Sequence, residues 1–201
     1  MKPLQTVGMQ KGWIYEVIVS TYRDNKPHSA PIGVWTDDFV TLEMEIYSES
    51  GTLRSIVELK DFAVNLIADV SVFYDSLFDE ANVEYRDSLN INAPIVRSAS
   101  AIIEARLKKV ENKGNRFHLE SVPVNVEVHE PVKLINRAEA IVIESLILGT
   151  RLPYLPGSRA QEVLRENYRI VRKVAPGSQY ERIMGKLVEA LHAPAAGESP
   201  C

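Results

Sequence analysis

The sequence is poor in the residue types that build covalent or metal-linked sites. Its single cysteine, Cys201, is the last residue, which excludes an intramolecular disulfide and a cysteine-based metal site. The four histidines are scattered along the chain, and no pair has the short spacing that is typical of metal ligands. We therefore expect no metal in the functional site.

The sequence also lacks an excess of one charge and long apolar runs. The net charge is −4, with acidic and basic residues interspersed, so no basic patch predicts nucleic-acid binding. No apolar run reaches membrane-spanning length, and the amino-terminal residues lack the apolar core of a signal peptide. Neither a G-x-G-x-x-G nor a Walker pattern is present. We expect a cytoplasmic protein with no nucleic-acid or membrane partner.

The first 130 residues carry the patterns of β-strands. Residues 13–21 are apolar on both faces, which is typical of a doubly buried strand, and residues 39–47 alternate between apolar and polar. Further strands are predicted at 61–69, 98–111 and 116–130. Asn-Lys-Gly-Asn joins the last two and is a hairpin signal.

Two short amphipathic helices are predicted between these strands, at 50–60 and 71–81. The second is expected to turn its large apolar residues towards the core, namely Phe73, Leu77 and Phe78. Residues 82–96 show no period and are predicted to be a loop. Pro123 places its strand at a sheet edge or a bulge.

The pattern changes to helical from about residue 135. An almost wholly apolar helix is predicted over 136–152, and two further helices each begin with a capping box. The boxes pair Ser158 with Gln161 and Ser178 with Glu181. Strands followed by helices indicate an α+β protein, with a mostly antiparallel barrel and a helical extension. We predict a barrel over 1–134, a three-helix extension over 135–192 and a flexible tail over 193–201.

The stretch from Ser20 to Trp35 is unusual for a strand, because Pro31 and Gly33 lie within it. Proline indicates an edge or a bulge, where backbone groups are free to pair with something other than a strand. Two interpretations follow: a plain edge strand, or an edge that pairs with a flat, polar heterocycle.

A cluster of hydroxyl residues and one arginine opens the helix at residue 50. A helix amino-terminus offers free N–H groups to an anion, and arginine adds a bidentate cationic partner. The cluster therefore indicates either a phosphate site or an ordinary helix cap with a solvated arginine. Its members are Ser48, Ser50, Thr52, Arg54 and Ser55.

The order of these features resembles the FMN-binding split β-barrel superfamily of flavin reductases and pyridoxamine-phosphate oxidases. It is most similar to the uncharacterised, mainly archaeal family of that superfamily that has a helical carboxy-terminal extension. The resemblance implies the cofactor FMN and an oxidoreductase of the flavin reductase-like type. It also implies a homodimer with the flavin near the subunit interface, and NAD(P)H or a small molecule as substrate.

The resemblance also implies roles for individual residues, although it assigns no catalytic residue. The strand at 29–34 approaches the ring edge, where Gly33 leaves room for it, and the hydroxyl cluster with Arg54 holds the phosphate. Thr21 and His28 could reach the ribityl chain or the ring, Asn65 could help to fix the cofactor, and Tyr74 could flank it. The implied cofactor-binding residues are Thr21, His28, Ser29, Ala30, Pro31, Ile32, Gly33, Ser48, Ser50, Thr52, Arg54, Ser55, Asn65 and Tyr74.

Other interpretations remain open from the residues alone. The chain could be a non-catalytic flavin-binding protein or electron carrier, a pyridoxal-phosphate or haem-related binder, or a cofactor-free dimeric scaffold. Asn65 could instead satisfy a backbone bulge, Tyr74 could be a core aromatic, and His28 could be an exposed turn residue. Arg137, Glu144 and Arg151 are seven residues apart, so they form either a polar stripe or a contact to an anion.

Overall fold

The computed structural model describes residues 2–151 and 157–190. The chain forms two compact units, Met1–Ile135 and Asn136–Cys201, and each is described by itself. The predicted tail at 193–201 lies outside the described residues.

Six antiparallel strands of the first unit close into a barrel with the order β1-β2-β3-β8-β7-β4. This architecture confirms the predicted α+β fold. The hairpin predicted around Asn-Lys-Gly-Asn is β7–β8. The barrel strands are β1 (Tyr15–Arg23), β2 (Lys26–Trp35), β3 (Leu42–Tyr47), β4 (Asp61–Leu66), β7 (Ala101–Asn112) and β8 (Arg116–Val128).

The barrel interior is an apolar core. Val17 and Val19 of β1 point into it, and helix α1 (Gly51–Leu59) adds Leu53 and Ile56. Burying one such side chain contributes about 1.5–3 kcal/mol, so the core is the main source of stability for this unit. Because α1 is anchored by these side chains, the position of its amino-terminus is fixed relative to β1.

A second apolar cluster covers the outer side of the barrel wall. Ile18 alternates with Val17 and Val19 and so faces the other way, towards this cluster. The residues predicted to be a loop form part of it, as a two-stranded hairpin of β5 (Tyr85–Asp87) and β6 (Pro94–Val96). The prediction of a structureless loop was therefore wrong.

Helix α2 (Val70–Phe78) and a 3₁₀ helix (Glu80–Asn82) precede β5. Phe73 of α2 packs against the outer cluster, as predicted. Leu77 and Phe78 are instead 58% and 73% exposed, so their predicted inward orientation was wrong. The helix is only nine residues long and packs on one side, and Val72 and Phe73 already fill that contact.

Pro123 lies at a bulge of the β7–β8 ladder, as predicted. The register steps from Glu104 opposite Asn125 to Ala105 opposite Pro123, which leaves Val124 as the extra residue.

The second unit consists of α3 (Arg137–Arg151), α4 (Gly157–Val174) and α5 (Gln179–Ala190). The Ser178 hydroxyl accepts a hydrogen bond from Glu181 N–H at 3.2 Å, which confirms that cap. The Ser158 side chain lies outside the described part of the chain. Arg137, Glu144 and Arg151 are exposed on α3.

Candidate functional site

Strand β2 has an open edge over most of its length. It pairs with β1 throughout, but on its other side it pairs with β3 only at Val34 and Trp35. Backbone groups along a strand alternate in direction, so residues 27, 29, 31 and 33 direct their N–H and C=O groups to the same edge. Two of these residues, Pro27 and Pro31, have no N–H to offer. The prolines thus occupy positions where no ladder partner exists, which confirms the predicted edge.

Ser29 is the residue of this edge that is held most firmly. Its N–H donates to Glu80 Oε1 at 2.9 Å, and its hydroxyl lies 2.7 Å from the Tyr85 hydroxyl. Burial raises the pKa of Tyr85, and the nearby Glu80 carboxylate acts in the same direction. Tyr85 therefore remains a neutral hydrogen-bonding partner at physiological pH.

His28 connects this edge to the start of α1. Its Nδ1 lies 2.8 Å from Glu80 Oε1, and its Nε2 lies 3.0 Å from Thr52 Oγ1. His28 stands directly opposite Thr21 on β1. The Thr21 hydroxyl is fully buried and has no hydrogen-bond partner among the described residues. A buried hydroxyl without a partner is costly, so this end of the barrel has unused hydrogen-bonding capacity.

The chain of contacts from Glu80 through His28 to Thr52 has the order found in hydrolase triads, in which a carboxylate orients a histidine that activates a hydroxyl. His28 thus lies beside the hydroxyl cluster although the sequence separates it from Thr52 by 24 residues. Thr52 is only 2% exposed, however, so its hydroxyl has no access to a substrate carbonyl. The chain of contacts is therefore a positioning network.

The amino-terminus of α1 is open to an anion. Ser50 occupies the N-cap position, but its side chain makes no capping hydrogen bond, and the first turn contains no acidic residue. The first-turn N–H groups of a helix have no intrahelical partner, and here no side chain among the described residues caps them. Together with the helix dipole they form an electropositive site.

Two arginines flank this helix end. Arg23 Nη1 lies so close to Gly51 that a Cβ on that residue would meet it at 3.0 Å. Arg54 lies one turn further along α1, and both arginines line one cleft of 810 Å³. Neither guanidinium forms a salt bridge with any carboxylate in residues 2–151 or 157–190. Two exposed guanidinium groups therefore line the cleft beside an uncapped helix end, and neither is paired with the carboxylates of Asp24, Glu58 and Asp87 that line the same cleft.

The opposite wall of the cleft is built from hydrogen-bonded polar groups. The Tyr22 hydroxyl donates to Asp87, and burial together with this hydrogen bond raises the pKa of Tyr22 to about 12. Asp61 accepts a hydrogen bond from the N–H of Asn92, which lines the cleft; burial alone would raise the pKa of Asp61, but hydrogen bonds from Arg106 and Asn92 N–H hold it below its usual value. Asp87 and Asp61 thus have donors of their own, and the carboxylates of Asp24 and Glu58 also line the cleft.

The space beside Gly33 is occupied by a side chain of the same chain. A Cβ on Gly33 would lie 2.9 Å from Ile14 Cγ2 and 3.7 Å from Glu16 Oε2. The absence of a side chain at Gly33 thus makes room for Ile14. The backbone of Gly33 belongs to the open edge, and the approach of a ring to it stays a prediction.

Three other predicted residues, Asn65, Ile32 and Tyr74, have different surroundings. The Asn65 side-chain amide donates to Ile18 O and Ser20 Oγ of β1 and accepts from Val96 N–H of β6. These three hydrogen bonds connect β4 to β1 and to β6. Ile32 packs in the barrel core, and Tyr74 is exposed on α2 beside Phe78.

The structure therefore brings some predicted residues together and leaves others apart. His28, Ser29 and Thr52 share one hydrogen-bond network, and Arg54 and Ser55 line the adjacent cleft. Ser48 and Ser50 precede α1, and Ala30 and Pro31 continue the open edge. No contact here tests whether any of these residues touches a cofactor.

Sequence reasoning missed three residues of the site: Arg23, Glu80 and Tyr85. Arg23 and Glu80 are far in sequence from α1 and β2 respectively, and no local motif connects them. The only sequence signal was the position of Arg23 at the end of a strand whose hairpin carries the predicted edge.

The described residues contain neither a cluster of metal ligands nor a membrane-spanning helix. Within residues 2–151 and 157–190, no three His, Cys, Asp or Glu side chains are grouped to hold a metal ion. In the same ranges, no helix has both the length and the apolar character needed to cross a membrane.

Comparisons with known proteins agree with this architecture. An uncharacterised protein of Methanocaldococcus jannaschii, MJ1453, is 26% identical over 144 residues, which cover 69% of this chain and 74% of that protein. The crystal structure of the FMN-bound protein MM1853 of Methanosarcina mazei is 23% identical, with a TM-score of 0.56, and the match covers 94% of this chain and 99% of that one. The flavin reductase HpaC, solved with NADP⁺, is 15% identical with a TM-score of 0.54, and the match covers 68% and 97%. These likenesses to solved structures show the split-barrel fold.

Two family models match most of the sequence. Residues 15–130 match the amino-terminal domain of a protein family of unknown function, DUF447, and residues 136–189 match the second model of the same family. The first model alone spans more than half of the chain. The chain therefore belongs to the DUF447 family.

Proposed function

We propose that this chain binds FMN and acts as an oxidoreductase of the flavin reductase type. One observation carries the proposal: Arg23 and Arg54 line the cleft at the uncapped end of α1 and form no salt bridge with a carboxylate of residues 2–151 or 157–190, next to the open edge of β2. A phosphate fits the helix end, and a planar ring with polar edge atoms fits the strand edge. The FMN-bound neighbour MM1853, with the same fold, supports this choice of ligand.

The residues present suit the parts of FMN. Arg23 and Arg54 would hold the phosphate with charge-assisted hydrogen bonds, together with the first-turn N–H groups of α1. Ser29 N–H and the C=O groups of β2 would orient the ring edge. Bound FMN would supply the hydride or electron chemistry, and the protein would supply binding and orientation.

The homodimer and the use of NAD(P)H stay predictions. Exposed apolar side chains on α2, which precedes Glu80, support a partner near the site. These side chains are Val70, Tyr74, Leu77 and Phe78, and a helical stripe of this kind is typical of an interaction surface.

The reaction is tested by reconstituting the purified protein with FMN and removing free flavin. We expect the protein fraction to retain the visible absorption bands of flavin, and anaerobic addition of NADH or NADPH to bleach them at different rates. Free FMN treated in the same way provides the control. Retention of flavin without faster bleaching by either nucleotide would contradict the reductase activity and favour an electron carrier. Failure to retain flavin would contradict the proposal as a whole.

A further inference from the structure

Glu80 occupies an unexpected position for a carboxylate. Its Oε1 accepts two hydrogen bonds at once, from Ser29 N–H at 2.9 Å and from His28 Nδ1 at 2.8 Å. Both donors belong to consecutive residues of the open part of β2. Hydrogen bonds to an ionised carboxylate are stronger than neutral ones, so Glu80 holds this edge firmly.

Backbone N–H donors are few along this edge, and Ser29 supplies one of them. Among the residues that point outwards between positions 27 and 31, Ser29 alone has an N–H, since Pro27 and Pro31 lack one. A ligand that pairs with a backbone donor in this stretch must therefore use the N–H that Glu80 holds in the protein alone.

We propose that Glu80 is a specificity-determining residue of the site, because its carboxylate competes with the bound ring for the Ser29 N–H. The inference rests on the proposed binding of FMN. A ligand is accepted only if its edge supplies an acceptor that replaces the carboxylate. A ligand without such an acceptor leaves Glu80 in place and is rejected. When the ring replaces Glu80 at the Ser29 N–H, Glu80 keeps its contact with His28, and His28 keeps its contact with Thr52 at the start of α1.

Competition between Glu80 and the ring for the Ser29 N–H predicts tighter flavin binding when the carboxylate is removed. We expect Glu80→Ala to bind FMN and riboflavin roughly tenfold more tightly than the wild type, because neither ligand has to displace a charge-assisted hydrogen bond. Glu80→Gln keeps the shape and a neutral acceptor, so its gain should be a few-fold. The two ligands should respond equally, since Ser29 lies at the ring edge and the phosphate lies at α1.

Glu84→Gln provides the matched control. Glu84 lies in the same segment, and its exposed carboxylate forms no salt bridge or hydrogen bond with any residue that the structure describes. The substitution removes the same charge as Glu80→Gln. A general electrostatic effect on the anionic FMN would therefore change the affinity of this variant for FMN too, and it would leave the affinity for riboflavin unchanged. We expect Glu84→Gln to leave both dissociation constants unchanged.

Hydrogen exchange at the Ser29 amide provides a readout that does not depend on affinity. The amide should be protected in the wild type, lose protection in Glu80→Ala, and regain it in that variant when FMN or riboflavin is added. The thermal transition of each variant shows whether it is folded. If Glu80→Ala does not fold, the same measurements on Glu80→Gln provide the test.

The outcomes separate this inference from the proposed function. If the wild type and both Glu80 variants bind no flavin, the proposed function fails. If the wild type binds flavin and the folded Glu80 variants bind it more weakly or equally well, competition by Glu80 is refuted and the carboxylate supports the ring or only the fold. Tighter binding of both ligands, with loss of Ser29 protection in the free variant, supports the inference.

Discussion

Replacing Arg54 or Arg23 by alanine is expected to weaken FMN binding by about 1.5–3 kcal/mol in each case, the value typical of a hydrogen bond to a charged group. Both arginines line the cleft at the uncapped start of α1, and neither forms a salt bridge with a carboxylate of the described residues. Riboflavin binding should change little, because riboflavin has no phosphate. Calorimetric titration of each variant with both ligands measures the difference.

A matched control for charge is Lys108→Ala. Lys108 is an exposed cation on β7 and does not line the cleft, so its loss should leave both affinities unchanged. The Arg23→Ala/Arg54→Ala double variant should lose less than the sum of the single losses, since two groups that share one phosphate are coupled. If both single variants bind FMN like the wild type, the phosphate is not held by these arginines.

Asn65→Ala is expected to lower the free energy of unfolding by about 3 kcal/mol. The substitution leaves the buried Val96 N–H without an acceptor and removes the donor to Ile18 O and Ser20 Oγ. A buried polar group without a partner costs about 1–3 kcal/mol, and the small cavity adds to this. Urea denaturation measures the change, and the slope of the transition should stay the same.

Asn92→Ala is the control for this variant. The Asn92 side chain is exposed, so we expect a change within about 0.5 kcal/mol. The FMN affinity of folded Asn65→Ala should stay close to that of the wild type. A stable Asn65→Ala protein that binds FMN poorly would contradict this account and support the role in cofactor binding predicted from the sequence.

The parts of the fold that follow a local pattern could be predicted from the sequence. The apolar run of β1, the alternation of β3 and the turn between β7 and β8 each depend on neighbouring residues only. Pro31 predicted the open edge, and Pro123 predicted an edge or bulge, because proline removes the ladder donor wherever it occurs.

Features that depend on distant contacts could not be predicted. The strands of the β5–β6 hairpin have three residues each, too few for a period to be visible, and they are fixed by packing on Ile18 and Asn65. The apolar character of Leu77 and Phe78 predicted burial, but a short helix on the outer wall presents only one side to the core.

The candidate site shows the same division. The hydroxyl cluster and Arg54 are contiguous in sequence, so the candidate anion site at α1 could be proposed from the sequence. Arg23 is brought to the site by the β1–β2 hairpin, and Glu80 is brought there by the segment after α2, so neither position follows from a local pattern. The contact between Gly33 and Ile14, the residue before β1, could not be predicted either, because it depends on how β1 and β2 pair.

The central claim is that the start of α1, between Arg23 and Arg54, holds the phosphate of FMN. Calorimetric titration of the wild-type protein with FMN and with riboflavin tests it most directly. The account predicts that FMN binds at least tenfold more tightly than riboflavin, because only FMN offers an anion to the two arginines and the helix end. Equal affinity for the two ligands, or no binding of FMN, would contradict it.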